Sequence, residues 1–536
     1  MKRVIALISA LLAAAMLAGI LAGCADLQGS GAQDGNNTAT AAEAESKSGN
    51  GNYNYEAVPG EPDGSTAEAT SAVMEAGTEA GETSANPAET TSGNVSQLFT
   101  GSTVRILAWS DSEYPEFVSE TITGEILNYA VFIRSAHVED RLGLRIVWTF
   151  EPGDSVNSAA WNEKLVKAAQ AQDDKYDAIA AHSRTVALNA YSGVCADLLA
   201  GDAFPYLKLE QTWWPASLTE DAVIGGRLFF LTGDIAQSFS EKLRLCFANK
   251  EMLEDAGVTD PYAAVLDGEW TFERFTELCA TVDRGRSGNA DEANDRFGYI
   301  GYGSDFDPWL YAAGMKLYSS DADGKLRLSV SISDLPVANT LEMLKTLLNG
   351  RSGCIASNAN SAISAFASGR SLFLTGTADT VKKAAGREAA SGRFTLIPLP
   401  MPKYNRDTAF YRTCVDASFT MYAVPVTAPD RVMVSAFLEL MAFEGSRTLT
   451  PGVFETDFMY RYDGSGGPRD MFDIIKEGAV LDPGRIYSSQ LQSTDLFFGK
   501  NAGAGAENWA GKLQVRIKSL ESAADKLGST LSAMNG

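Results

Sequence analysis

Between residues 103 and 182 the chain reads strand, helix, strand, helix, strand, and no other feature limits its fold as much. "TVRILAW" (103–109) is a short β-rich run. Residues 115–142 have helical spacing, with Phe117, Ile122, Ile126, Tyr129, Phe132 and Ile133 as the apolar side and Gly143 as the stop. "LRIVWTF" (144–150) is a second strand, 159–172 a second helix, and "YDAIAAH" (176–182) a third strand. Two consecutive βαβ units favour a parallel sheet with right-handed crossovers. In such open sheets ligands sit beyond the carboxyl ends of the strands. Those ends carry Trp109, Ser110 and Asp111 after the first strand, and His182, Ser183 and Arg184 after the third.

The rest of the chain continues in α/β style. "IGGRLFFLTGDI" reads as a turn at Gly225 and Gly226 leading into a strand, and "KLRLCFANKEMLEDAG" as a strand passing into a helix near Asn249. "GEWTFERFTELCATV" is a helix with Thr271 as its N-cap and Glu273 in its first turn, where the helix dipole favours an acid. A helix over 334–349, strands over 371–376 and 420–426, and a helix over 430–443 follow. Trp509, Leu513, Ile517, Leu520, Leu527 and Leu531 form one stripe of a long amphipathic helix at the end.

The amino-terminal region differs in kind. "MKRVIALISALLAAAMLAGILAGC" is a basic tip and an uncharged apolar run ending in small residues before Cys24. It reads as a secretory signal over 1–23, and Leu21-Ala22-Gly23-Cys24 resembles a lipobox, with Cys24 as the lipidated residue. A spanning helix is the competing reading, since the run is long enough to cross a bilayer. Residues 25–98 are rich in Ala, Gly, Ser, Thr, Asn and Glu, with Lys47 as the only basic residue. That composition buries too little surface to offset ordering entropy, so 24–98 is expected to be a lipidated, disordered acidic tether. It would reach about 250 Å fully extended, and about 50 Å as a coil.

A net charge of −24 argues against nucleic acid and anionic lipid surfaces as partners. Apart from Cys24, the cysteines at 195, 246, 279, 354 and 414 lack paired spacing. They read as buried thiols, not a disulfide framework or a zinc site.

Taken in order, "VRILAW", "YDAIAAH", "WWPASLTEDAVIGGRLFFLTGDI", "FANKEMLEDAGVTDPY", "GEWTFERFTELC", "RFGYIG", "SGRSLFLTGT", "GRFTLIPLPMPKY" and "MYAVPV" resemble the extracellular solute-binding proteins of family 1. Those are lipoprotein receptors of carbohydrate-type ABC importers. The resemblance implies two α/β lobes joined by crossing strands, with a solute held in the cleft between them. The first lobe would comprise 99–235 and about 418–455, the second about 236–417 and 456–536. Crossings are expected near 230–245, 411–420 and 451–463. The implied partners are a small solute, a sugar above all, the permease subunits, and the outer face of the cytoplasmic membrane through the lipid. The receptor is expected to act as a monomer without a cofactor.

Sugar recognition needs flat apolar faces for C–H surfaces and planar polar groups for paired hydroxyls. The candidates are Trp109, Asp111 and Tyr114 after the first strand, and His182 and Arg184 after the third. Asp234 follows "LFFLTG", Asp307 and Trp309 lie in "SDFDPWLY", and Asp416 lies near the return crossing. Trp213 and Trp214 in "QTWWPASL" are expected mainly to pack a lobe, with Trp214 the ring more apt to reach a cleft. For every aromatic the competing role is core, and for every acid a solvated loop or a cap.

"DRGRSGNADEAND" (283–295) resembles a calcium loop that has lost its closing glutamate, with Asn294 in its place, so an acidic surface loop is the expectation. No HExxH, GxSxG or phosphate-binding loop occurs, and the only histidines are His137 and His182. Two alternatives stand beside the receptor: a secreted glycan-active hydrolase, which needs only two carboxylates, and a binding lipoprotein that feeds a sensor.

Overall fold

The computed structural model describes residues 97–112, 115–119, 125–282, 295–302, 306–350, 352–380, 395–454, 467–497 and 508–534. Among the described residues, nine strands build two main sheets. They are β1 (Thr103–Trp109), β2 (Arg145–Glu151), β3 (Ala178–His182), β4 (Arg244–Asn249) and β5 (Phe297–Tyr302). They continue with β6 (Gly353–Ala356), β7 (Ser371–Thr377), β8 (Leu396–Leu399) and β9 (Thr420–Ala423).

The first sheet has the order β9-β3-β1-β2. β1 runs parallel to both β2 and β3, as the two βαβ units require, with Leu107 opposite Thr149 and Ile179. β9 closes the edge antiparallel, with Thr420 opposite His182. Ile106, Leu107 and Ala108 are all fully buried, so β1 reads as a continuous apolar run covered on both faces. The second sheet has the order β8-β4-β7-β5-β6. In it β4 is antiparallel to β7 and β8, while β5 is parallel to β6 and β7. An aromatic cluster of Trp270, Phe275, Tyr299, Trp309 and Phe373 packs this sheet, mostly edge to face.

The chain passes between the sheets through two adjacent segments. It leaves the first after Leu231, which bridges Tyr422, and enters the second at Arg244. On return, Val415 bridges Leu243 and the Asp416 amide donates to the Lys242 carbonyl at 2.9 Å. A short helix, Gln237–Glu241, sits in the outgoing segment with all five residues buried. The third crossing, expected over 451–463, lies mostly outside the described residues.

Local signals explain several element ends. Gly143 ends the helix Ile126–Leu142 at φ 69°, where a side chain would be strained. Asn249 and Thr271 cap their helices, each side chain accepting from the backbone N–H three residues on. Three expectations need correction, the first being the strand after Gly225 and Gly226, which is reduced to an isolated bridge at Leu231. The helix expected over 115–142 spans Ile126–Leu142, and its buried face is Ala130, Val131, Arg134, Val138 and Leu142, while Ile126, Tyr129 and Phe132 are exposed. A fully buried Arg134 shifts the face by reaching the carbonyls of Glu116 and Ile235. The long terminal helix is two, Trp509–Gln514 and Ile517–Ser532, although Leu513, Leu520, Leu527 and Leu531 do form the buried stripe.

Cys195, Cys246, Cys279, Cys354 and Cys414 are all free and buried. Cys24 and residues 283–294 lie outside the described residues. Among the described residues no helix is long and apolar enough to cross a membrane.

Candidate functional site

The carboxyl ends of β1 and β3 meet the returning segment 415–420, and several strand-end residues converge there. Trp109 is 4 % exposed; its indole N–H donates to Thr420 Oγ1 at 2.9 Å and its ring meets His182 edge to face at 5.7 Å. Asp111 is exposed and accepts from the Gly153 amide at 2.9 Å and from Asp154 N and Asn157 Nδ2 at 3.3 Å each, which shapes the loop after β2. His182 Nδ1 accepts from the Arg184 amide at 3.1 Å. Burial, reinforced by the Arg184 charge, lowers the His182 pKa to about 4 against the pull of Asp416, Asp154 and Asp111. The imidazole is therefore neutral at pH 7.

Arg184 points to Asp495 Oδ2 at 2.6 Å, and Asp495 Oδ1 accepts from Ser488 Oγ at 2.6 Å. Asp416 Oδ2 accepts from Arg244 Nη2 at 2.6 Å, and its Oδ1 accepts from Ser418 Oγ at 3.0 Å. Burial alone would raise the Asp416 pKa; the guanidiniums of Arg244 and Arg485 override it and hold the carboxylate well below its usual range. Arg485 bonds Asp307 Oδ2 and the Val415 carbonyl, each at 3.0 Å. Lys242 pairs with Asp379 at 3.2 Å. The junction between the sheets is thus a lattice of alternating cations and carboxylates, with each arginine already holding an acid.

Beneath it lies a second polar group. Glu116, fully buried, accepts from Ser238 N and Oγ at 3.0 Å each and from Thr420 Oγ1. Burial raises the Glu116 pKa despite those bonds. Trp109, Thr420, Glu116 and Ser238 therefore link the end of β1, the start of β9 and the outgoing segment in one hydrogen-bonded chain.

The structure brings together Trp109, Asp111, His182, Arg184 and Asp416, but the Trp109 ring, buried in the core with its N–H engaged, packs beneath the strand ends and is no exposed platform. It places three other candidates, Trp214, Trp309 and Asp234, elsewhere, and a fourth, Asp307, in the lattice itself. Trp214 is 3 % exposed and its N–H donates to Glu439 Oε2 at 3.1 Å, while Trp213 donates to Oε1 of the same carboxylate at 3.1 Å. Both indoles are packed in the core with their polar edges engaged. Trp309 is fully buried in the second sheet's aromatic cluster, donating to Tyr299 Oη at 3.2 Å. Its ring is core in place of a platform. Asp307 faces Arg485 at the base of the lattice, with its Oδ1 buried and unbonded. Asp234 is buried on another side of the crossing segments, between Thr450 and Lys476. Tyr114 lies outside the described residues.

Sequence reasoning passed over Asp154, Arg244, Arg485 and Glu116. Asp154 Oδ1 accepts from Val156 N and Asn157 N at 3.0 and 2.8 Å, and an Asp after Pro-Gly is a turn signal that marks such a loop. Arg244 inside "KLRLCF" is a charge in an apolar strand, a signal for a buried partner. Glu116 carries no comparable mark. Among the described residues no group of three or more His, Cys, Asp or Glu side chains is placed to hold a metal ion.

Neither the protein-family models nor the curated proteins give a match to this chain. Among solved structures it is similar to the GacH receptor of Streptomyces glaucescens, at 16 % identity over 80 % of this chain and 97 % of that one, TM-score 0.45. It is also similar to UgpB from Mycobacterium tuberculosis in complex with glycerophosphocholine, at 17 % identity over 73 % of this chain and 94 % of that one, TM-score 0.48. A third is a cyclo/maltodextrin-binding protein complexed with maltotetraose, at 10 % identity over 82 % of this chain and 100 % of that one, TM-score 0.49.

Proposed function

We propose that this chain is an extracytoplasmic solute-binding protein, lipid-anchored through Cys24, that captures a small polyhydroxylated solute between its lobes. It releases the solute unaltered to an ABC importer. The carrying observation is the charge-balanced lattice at the junction of the two sheets: Arg184 with Asp495, Arg244 with Asp416, Arg485 with Asp307, and Lys242 with Asp379. Each cation there already has its acid, so an anionic solute would have to displace a carboxylate. Sugar hydroxyls both donate and accept, and can join such a lattice without changing its charge. Segments 232–243 and 415–420 are two strands' width of chain between the sheets, the form of a hinge whose closure is driven by contacts made only in the closed state.

The two histidines speak against histidine-based turnover. His182 is neutral with Nδ1 engaged, and His137 lies on a helix surface against Glu444 at 3.0 Å. A thermal-shift screen of the mature chain against mono- and oligosaccharides tests the proposal. A ligand at a hundred times its Kd stabilises the folded form by about 2.7 kcal/mol, which moves the midpoint measurably. A flat response across neutral glycans, with a shift from an anionic or peptide solute, would reject the sugar assignment.

A further inference from the structure

The geometry points to a role for Asp234 and Lys476 as a reversible latch across the hinge, positioning the lobes and so setting the affinity for solute. The inference rests on the solute-binding reading and concerns how that reading is regulated. Asp234 opens the outgoing segment, and its carboxylate is fully buried. Its Oδ2 accepts from Lys476 Nζ at 2.6 Å and its Oδ1 from Thr450 Oγ1 at 2.8 Å. The two donors belong to opposite sides. Lys476 lies on the helix Gly467–Glu477, which packs on β8 and on the helix Pro261–Leu266, both with the second sheet. Thr450 ends the helix Arg431–Pro451, which packs along Ile126–Leu142, with the first. One carboxylate thus holds one donor from each lobe.

The contact is built, not incidental. The Asp234 amide donates to the Trp213 carbonyl at 3.0 Å, and a Cβ on Gly445 would collide with the Asp234 carbonyl oxygen. Only glycine lets the first-lobe helix approach that closely. Phe454 and Phe472 stack beside the latch at 4.6 Å and 24°, again one ring from each of the two helical segments.

The two partners differ in their access to water, and that difference makes the latch reversible. Lys476 is 20 % exposed, onto a cavity of about 240 Å³ lined by Ser446, Thr450, Phe454, Phe472 and Asp473. When the second-lobe helix rotates away, the ammonium gains water while Asp234 keeps Thr450. A pair buried on both sides would be too costly to part, and a fully exposed pair would contribute too little to hold an angle. Because attraction falls with separation, the pair favours the lobe angle at which nitrogen and oxygen meet. A solute whose contacts require that angle gains from the latch, and one that requires another angle works against it.

The test uses the full chain without solute, so its outcome is independent of whether a sugar binds. Spin labels at introduced cysteines on Asp173 and Ser364, exposed positions on the first and second lobes, report the interlobe distance. The five described native thiols are buried and do not compete for label. Lys476→Met and Asp234→Asn are each expected to shift the ratio of two distance populations by about tenfold or more. Lys476→Arg restores the original distribution. Asp234→Asn keeps the Thr450 bond and serves should Lys476→Met fail to fold. An unchanged distribution in a folded variant overturns the latch. So does a change that Lys476→Arg does not rescue, because packing alone would then explain it.

Discussion

Replacing Arg485 by methionine removes the cation that holds Asp307 and the Val415 carbonyl, both at 3.0 Å. The two side chains are 10 % and 11 % exposed, so Asp307 would be left as a buried charge with its Oδ1 already unbonded. Breaking one side of a buried pair costs about 3–5 kcal/mol. With unfolding entropy near 2.1 cal/mol/K per residue over the folded part, a loss of about 4 kcal/mol lowers Tm by about 4 °C. Replacing both partners by apolar groups, Asp307→Leu with Arg485→Met, removes the stranded charge and should recover most of that loss. The assay is urea denaturation of the wild type, both single variants and the double, read as a double-mutant cycle. A single variant that loses less than about 1 kcal/mol, or a double no more stable than Arg485→Met alone, would refute the view that the lattice is a set of coupled, desolvated pairs.

Other outcomes follow from the same geometry. Glu439→Leu strips the acceptor from Trp213, Trp214 and the Lys208 amide together, so it should destabilise by about 3–6 kcal/mol. Glu439→Gln, which keeps one acceptor oxygen, should lose clearly less on the same denaturation curve. His182 has a folded pKa of about 4 against the ordinary histidine value of 6.5, so the unfolded chain binds the proton first as pH falls. Its contribution is therefore intact above about pH 6.5 and is lost as pH falls from there to about 4, up to about 3 kcal/mol. A pH series of denaturation midpoints should show that slope, and His182→Asn should flatten it.

The first sheet was legible because its signals were local. β1 spans the same residues the sequence marks as a β-rich run, and the turn glycine at 143 falls where a left-handed residue is needed. Parallel pairing followed from chain order and handedness. The tryptophans were ambiguous because an indole suits a core as well as a sugar, and only the partner decides. Trp214 found Glu439, which is 225 positions away, and no local pattern announces that. Arg134 shows the same limit: a charge on the inner face of a helix looks like an error until Glu116 and Ile235 are seen to accept its hydrogens. Asp234 stands out in the sequence as an acid just after an apolar strand, yet its partners Thr450 and Lys476 come from two helices far along the chain.

Isothermal titration of the mature chain with the glycan that stabilises it most, followed by mass analysis of the recovered glycan, asks directly whether the chain captures a sugar and leaves it unaltered. One solute should bind per chain, with a negative heat-capacity change as the cleft closes on it, and the glycan should be recovered intact. Heat that continues after saturation, with a shortened glycan in the recovered material, would contradict capture without turnover and make the lattice carboxylates catalytic.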